Sequence, residues 1–203
     1  MKRTHYICFV ALLLVLFLSG CHKTTRHEEE WMDLKDAADN YSLEDAKRDG
    51  YVVIEDLSVT YGEDTWQDFV DLSAENTPCK VRVVHYYTID DASHYDPAYY
   101  ASIKDDYPMM YIFELIYNGE TFNESHYEED RLYQEEYKYL MRYEGEPDTP
   151  YATFTSYVRY VLVNDDKVTW EDIFRGMISS QHGANIPHSQ IYIDLLYREG
   201  KND

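Results

Sequence analysis

Apolar positions recur along this chain at two spacings, every second residue and every third or fourth, and each spacing predicts a different element. Between Cys79 and Ile89, the row Cys79, Val81, Val83, His85 and Tyr87 alternates with Lys80, Arg82, Val84 and Tyr86, which predicts a strand. Further strands are predicted at Tyr51–Val59, Met109–Tyr117, Glu120–Tyr127, Leu132–Tyr143, Phe154–Val163 and Ser189–Tyr197. Helical spacing links Trp66, Phe69, Val70 and Ser73, predicting a helix over 64–75 that Pro78 ends. It recurs in Trp170, Ile173, Phe174, Met177 and Ile178, behind a cap at Thr169. A shorter helix opens at the capping-box-like Ser42-x-x-Asp45, carries Lys47 and Arg48 in its last turn, and stops at Gly50.

Turn chemistry orders these elements. Asn118-Gly119 is a hairpin signal, and Glu128-Glu129-Asp130 marks the next reversal. These links are too short for crossovers, so the strands after Met109 form an antiparallel series. Strand, helix and strand between Tyr51 and Ile89 suit a βαβ unit, with an antiparallel return as the alternative. Asp90–Asp106 is a polar loop with a turn of helix after Pro97. The fold class is therefore α+β: an antiparallel or mixed sheet of about six or seven strands, with two main helices packed on one face.

The N-terminus follows a third pattern. Lys2-Arg3 precedes an uncharged apolar run from Ile7 to Leu18, and small residues then lead to Cys21. A basic start, a short apolar stretch and a small-residue cleavage site define a secretory signal peptide, too short to span a bilayer. Leu18-Ser19-Gly20-Cys21 resembles the lipobox of bacterial lipoproteins. The resemblance implies cleavage before Cys21, lipidation of the Cys21 thiol, and a mature chain held by acyl chains on the extracytoplasmic side of the cell membrane. Residues 1–20 are then the leader and 21–40 a polar tether, with Trp31, Met32 and Leu34 available for a short docked helix. A single domain follows over 41–199, and 200–203 form a disordered tail.

Composition sharpens the picture. Formal charge is −21, and loss of Lys2 and Arg3 takes it to −23. Phosphate binding needs clustered Lys and Arg, so nucleic acid is excluded as a partner. Of three cysteines, Cys8 leaves with the leader and Cys21 is the lipidation site, so Cys79 cannot form an intramolecular disulfide. Cys79 and His85 share a strand face but lie ~20 Å apart at ~3.3 Å per residue, which rules out a nucleophile–base dyad. No catalytic or cofactor motif occurs. His94 and Asp96 with Asp90 and Asp91, or His126 with Glu128, Glu129 and Asp130, match no metal framework, and no metal or cofactor is expected.

Tyrosine is the other anomaly, at 22 residues. Tyr133, Tyr137, Tyr139 and Tyr143 share parity along one predicted strand, and Tyr111, Phe113 and Tyr117 along another. On one face they would make an aromatic platform for a glycan or an envelope protein; the bland alternative is a face covered by helices.

Segment order carries a further resemblance. Asp45-Ala46 through Gly50-Tyr51-Val52-Val53, Trp66-x-x-Phe69, and Lys80-Val81-Arg82-Val83-Val84-His85-Tyr86-Tyr87-Thr88 contribute. So do Leu115-Ile116-Tyr117-Asn118-Gly119, Tyr160-Val161-Leu162-Val163, Thr169-Trp170-Glu171-Asp172 and Ser179-Ser180-Gln181. Together they resemble an uncharacterised domain family of Gram-positive lipoproteins. The resemblance implies export and a compact α+β domain and transfers no active-site residue. The expected function is a non-enzymatic binding or interaction module on the membrane; the alternative is a cell-envelope hydrolase with an unrecognised acidic site.

Overall fold

Period-two segments become nine strands in the computed structural model, which describes residues 31–147, 149–181 and 183–197. They are β1 (Val52–Glu55), β2 (Ser58–Tyr61), β3 (Cys79–Tyr87), β4 (Met109–Tyr117), β5 (Phe122–Glu128), β6 (Arg131–Tyr137), β7 (Tyr139–Gly145), β8 (Phe154–Val163) and β9 (His188–Tyr197). The helices are α1 (Leu34–Asn40), α2 (Leu43–Arg48), α3 (Glu63–Ala74), α4 (Pro97–Ile103) and α5 (Trp170–Ile178). Strands β2-β1-β3-β4-β5-β6 form one mixed sheet, and β7-β8-β9 form a second. The class is α+β, as the pattern predicts.

The chain enters the large sheet through a βαβ unit. Strand β1 runs parallel to β3, pairing Val52 with Val83 and Ile54 with His85, and α3 makes the crossover. Gly62 starts α3 at φ +79°, and a Cβ there would lie 2.7 Å from the Tyr51 carbonyl oxygen, so only glycine fits. Strands β4 to β6 then form the expected antiparallel series, and β3 joins it by pairing antiparallel with β4. Capping boxes open α2 at Ser42/Asp45 and α5 at Thr169/Asp172, where the pattern places them.

Two predicted strands are each divided. Tyr51–Val59 reverses at Asp56–Leu57, both at positive φ, so β1 and β2 form a hairpin. A leucine in that region costs about 1 kcal/mol, and tertiary contacts hold it there. Leu57 packs on the main core, and its carbonyl accepts from the Leu195 N–H at 2.9 Å. The Asp56 carboxylate accepts from the Thr88 N–H and hydroxyl at 2.8 and 2.6 Å. The second division falls at Lys138, whose N–H donates to the Val163 carbonyl, and it passes the chain from one sheet to the other.

The large sheet has an inner face, formed by Val52, Ile54, Val81, Val83, Leu115, Phe122 and Tyr137, that packs with Trp66 and Phe69 of α3. Tyr160, Leu162, Ile191 and Tyr192 of the small sheet complete this core. On the outer side α1 packs on β4 and β5, and α2 on β1. The domain thus begins within the stretch read as tether, with Leu34 and Ala37 buried. The two main helices do not share a face. Helix α5 instead lies on the small sheet, where Ile173 meets Val161 and Val163. Its predicted stripe is only partly used: Phe174, Met177 and Ile178 remain 49, 48 and 69% exposed. At Gly176 the returning chain comes close: a Cβ there would lie 2.7 Å from the Ala184 carbonyl oxygen.

Candidate functional site

Helix α3 covers only part of the inner face. Toward Cys79 the row is apolar, and the Cys79 thiol donates to the Phe69 carbonyl while burial pushes its pKa up to about 11. Toward Tyr87 the same row changes character. His85 and Tyr87 of β3, Tyr111 and Phe113 of β4, and His126 and Glu128 of β5 line an open cleft of about 280 Å³ with Gln190 of β9. Register builds it: His85 pairs with Tyr111, and Phe113 with His126, so one sheet face carries all six sheet residues.

Each histidine is oriented by a different group. His85 is 4% exposed, and its Nε2 lies 2.9 Å from the Ile191 carbonyl oxygen. A carbonyl only accepts, so Nε2 carries the proton and Nδ1 faces the Tyr87 hydroxyl at 3.4 Å. Burial lowers the His85 pKa, against a smaller opposing effect of that hydrogen bond. His126 is held at Nδ1 by the Glu124 carboxylate at 2.8 Å. Glu124 itself is 3% exposed. With the carboxylate ionised, Nδ1 donates, and Nε2 is the ring atom left for other partners. Burial also raises the pKa of Tyr87, so its hydroxyl stays protonated at neutral pH.

The rings meet at steep angles. Phe113 stands edge-on to His85 at 5.3 Å and 76°, and tilted to His126 at 5.0 Å and 49°. Tyr87 and Tyr111 cross at 66°. Tyr133 stacks on the far side of His126 at 5.0 Å, and Arg131 lies over the Tyr133 ring.

Of the tyrosines singled out in the sequence, Tyr111 lines the cleft and Tyr133 flanks it. Tyr117 and Tyr137 belong to the buried core, with hydroxyls on Asn76 and Glu135. Tyr139 and Tyr143 sit on the small sheet, where the Tyr143 hydroxyl donates to the Val168 carbonyl at 2.6 Å. The break at Lys138 separates them from Tyr133 and Tyr137, so the continuous tyrosine row does not form. Cys21 lies outside the described residues. Asp91 and Asp96 cap short helical turns, and Glu129 and Asp130 make the β5–β6 turn at positive φ. Among the described residues no group of three or more His, Cys, Asp or Glu could hold a metal ion. The pattern reading weighed His85 and His126 only in other pairings. Their shared inner parity was legible, but their proximity needed the β3-β4-β5 register.

His85 predicts a pH dependence of stability. The folded chain holds it neutral, whereas the unfolded chain protonates it near its ordinary value of about 6.5. Below that pH the unfolded state binds the extra proton, so stability is full above it and falls on acidification. The expected slope approaches 1.4 kcal/mol per pH unit. Urea unfolding of wild type and His85→Gln between pH 7.5 and 5.5 checks this; a slope unchanged in the variant would assign it elsewhere.

The chain matches no protein-family model, no curated protein and no solved structure.

Proposed function

We propose that this chain is an extracytoplasmic lipoprotein, anchored to the bacterial membrane through Cys21, whose domain is a non-enzymatic binding module. The anchor is supported by the order of basic start, apolar run and Leu18-Ser19-Gly20-Cys21. The observation that carries the binding role is the cleft. Beside the packed part of the inner sheet face, His85, Tyr87, Tyr111, Phe113 and His126 surround an open space with Glu128 and Gln190. Aromatic walls with a few polar groups are the composition of a small-ligand site. Envelope constituents are the ligands such an anchor would put in reach.

A hydrolase is the second reading, and Glu124–His126 is the observation that favours it. A carboxylate fixing one imidazole nitrogen prepares the other to take a proton, the arrangement of a general base.

Peptide mass spectrometry of the chain purified from a lipoprotein-processing bacterium tests the anchor. The expected N-terminal residue is a diacylglyceryl-modified Cys21, absent from Cys21→Ala, which is expected in the soluble fraction. An intact, unmodified leader would overturn the anchor. For the cleft, histidine-labelled protein is titrated with muropeptides, amino sugars and amine head groups. Saturable shifts of His85 and His126 with the probe recovered intact support binding. Cleavage of the probe supports the hydrolase, and no shift with any probe overturns the site.

A further inference from the structure

We infer that the cleft takes an alkylammonium group, held by cation–π contact with its aromatic walls and by the Glu128 carboxylate. This rests on the binding reading above and names the chemistry of the ligand.

Ring geometry separates two ligand shapes. A sugar stacks on a flat ring face, which requires an open, coplanar platform. Here the rings are inclined to one another: Tyr87 against Tyr111 at 66°, His85 against Phe113 at 76°, Phe113 against His126 at 49° and His85 against Tyr87 at 31°. Inclined rings around a compact space make a cage, which fits a rounded methylated ammonium rather than a flat pyranose. Charge agrees with shape. The lining contains Glu128 but no lysine or arginine. Burial favours the neutral form of His85, and the Glu124 carboxyl group lies at His126 Nδ1. Arg159 of β8 reaches Gln190 but lies over the Trp170 and Tyr157 rings at 3.9 and 4.4 Å, and Arg131, opposite Glu128 in the β5–β6 pair, lies over the Tyr133 ring. A chain of formal charge −21 also concentrates cations at its surface. An organic cation uses both the ring faces and the carboxylate.

The full chain is titrated with choline and with 3,3-dimethylbutan-1-ol, which has the same shape without the charge. Saturation-transfer NMR reads the N-methyl protons, and histidine resonances report the site. Choline is expected to bind at least tenfold more tightly than the alcohol, with shifts at His85 and His126. Glu128→Gln and Phe113→Leu are each expected to weaken choline binding about tenfold while leaving the urea midpoint of Glu128→Gln unchanged. Phosphocholine, as a second arm, distinguishes a head group from a free amine; saturable binding of either supports the inference. Equal binding of the alcohol, or no binding of any ammonium probe, overturns it. If N-acetylated sugars shift the histidines while the ammonium probes do not, the binding module stands and the ammonium assignment falls. If nothing shifts them, both fall.

Discussion

Trp66→Ala is expected to lower the free energy of unfolding by about 3–5 kcal/mol, the range for removing a large buried aromatic side chain. Trp66 is the wedge between the two sheets. Its indole stacks on Tyr192 at 4.7 Å and 17°, meets Tyr160 edge-on at 5.2 Å, and lies beside Phe69 at 5.7 Å. Tyr192 and Tyr160 belong to the small sheet, whereas α3 is the crossover of the large one. Truncation therefore removes contacts on both sides of one core. Trp66→Phe provides the internal control. Phenylalanine keeps a ring in the wedge and deletes the buried indole N–H, which has no hydrogen-bond partner among the described residues. Its expected cost is about 1–2 kcal/mol, less than the full truncation because one ring still fills part of the wedge. Urea midpoints of both variants measure the difference; equal losses would mean that ring packing does not join the sheets.

Glu114→Leu is expected to cost about 3 kcal/mol, because it takes a carboxylate away from a buried guanidinium. Arg82 lies on the outer face at 3% exposure, directly opposite Glu114 in the β3–β4 register. Its Nε and Nη2 donate to one Glu114 oxygen at 2.9 and 2.7 Å, and Nη1 donates to the Tyr51 hydroxyl at 2.9 Å. Without the carboxylate the guanidinium stays in a site too dry to solvate it. The double variant Arg82→Met/Glu114→Leu is expected to recover most of that loss, since a buried ion pair and an apolar pair of similar volume are often equivalent in stability. Chemical denaturation of both singles and the double closes the cycle. A double variant as unstable as the sum of its parts would show two independent roles.

Legibility differed between elements for physical reasons. Helix α3 and the β4–β6 meander were readable because period, the Pro78 stop and short turns agreed locally. The Asp56–Leu57 turn was not readable, because Leu57 opposes its own backbone preference and is held by β9, far away in sequence. Lys138 carries no turn signal, and alternation continues across it from Tyr137 to Tyr139, so parity alone could not reveal a change of sheet. Tyr139 and Tyr143 left the proposed aromatic platform at that residue.

The candidate site shows the same division. That Tyr87, Tyr111, Phe113 and His126 point to one side of their strands follows from period two and could be read residue by residue. Which of them meet is a question of strand neighbours and register, and of where α3 stops covering the sheet. Local pattern determined the elements, the parity of every strand and the basic-apolar-cysteine order at the N-terminus, because these depend on neighbours a few bonds apart. Only the tertiary structure decided the second sheet, the helices on separate faces and the cleft, because each depends on contacts between residues that the chain itself holds far apart.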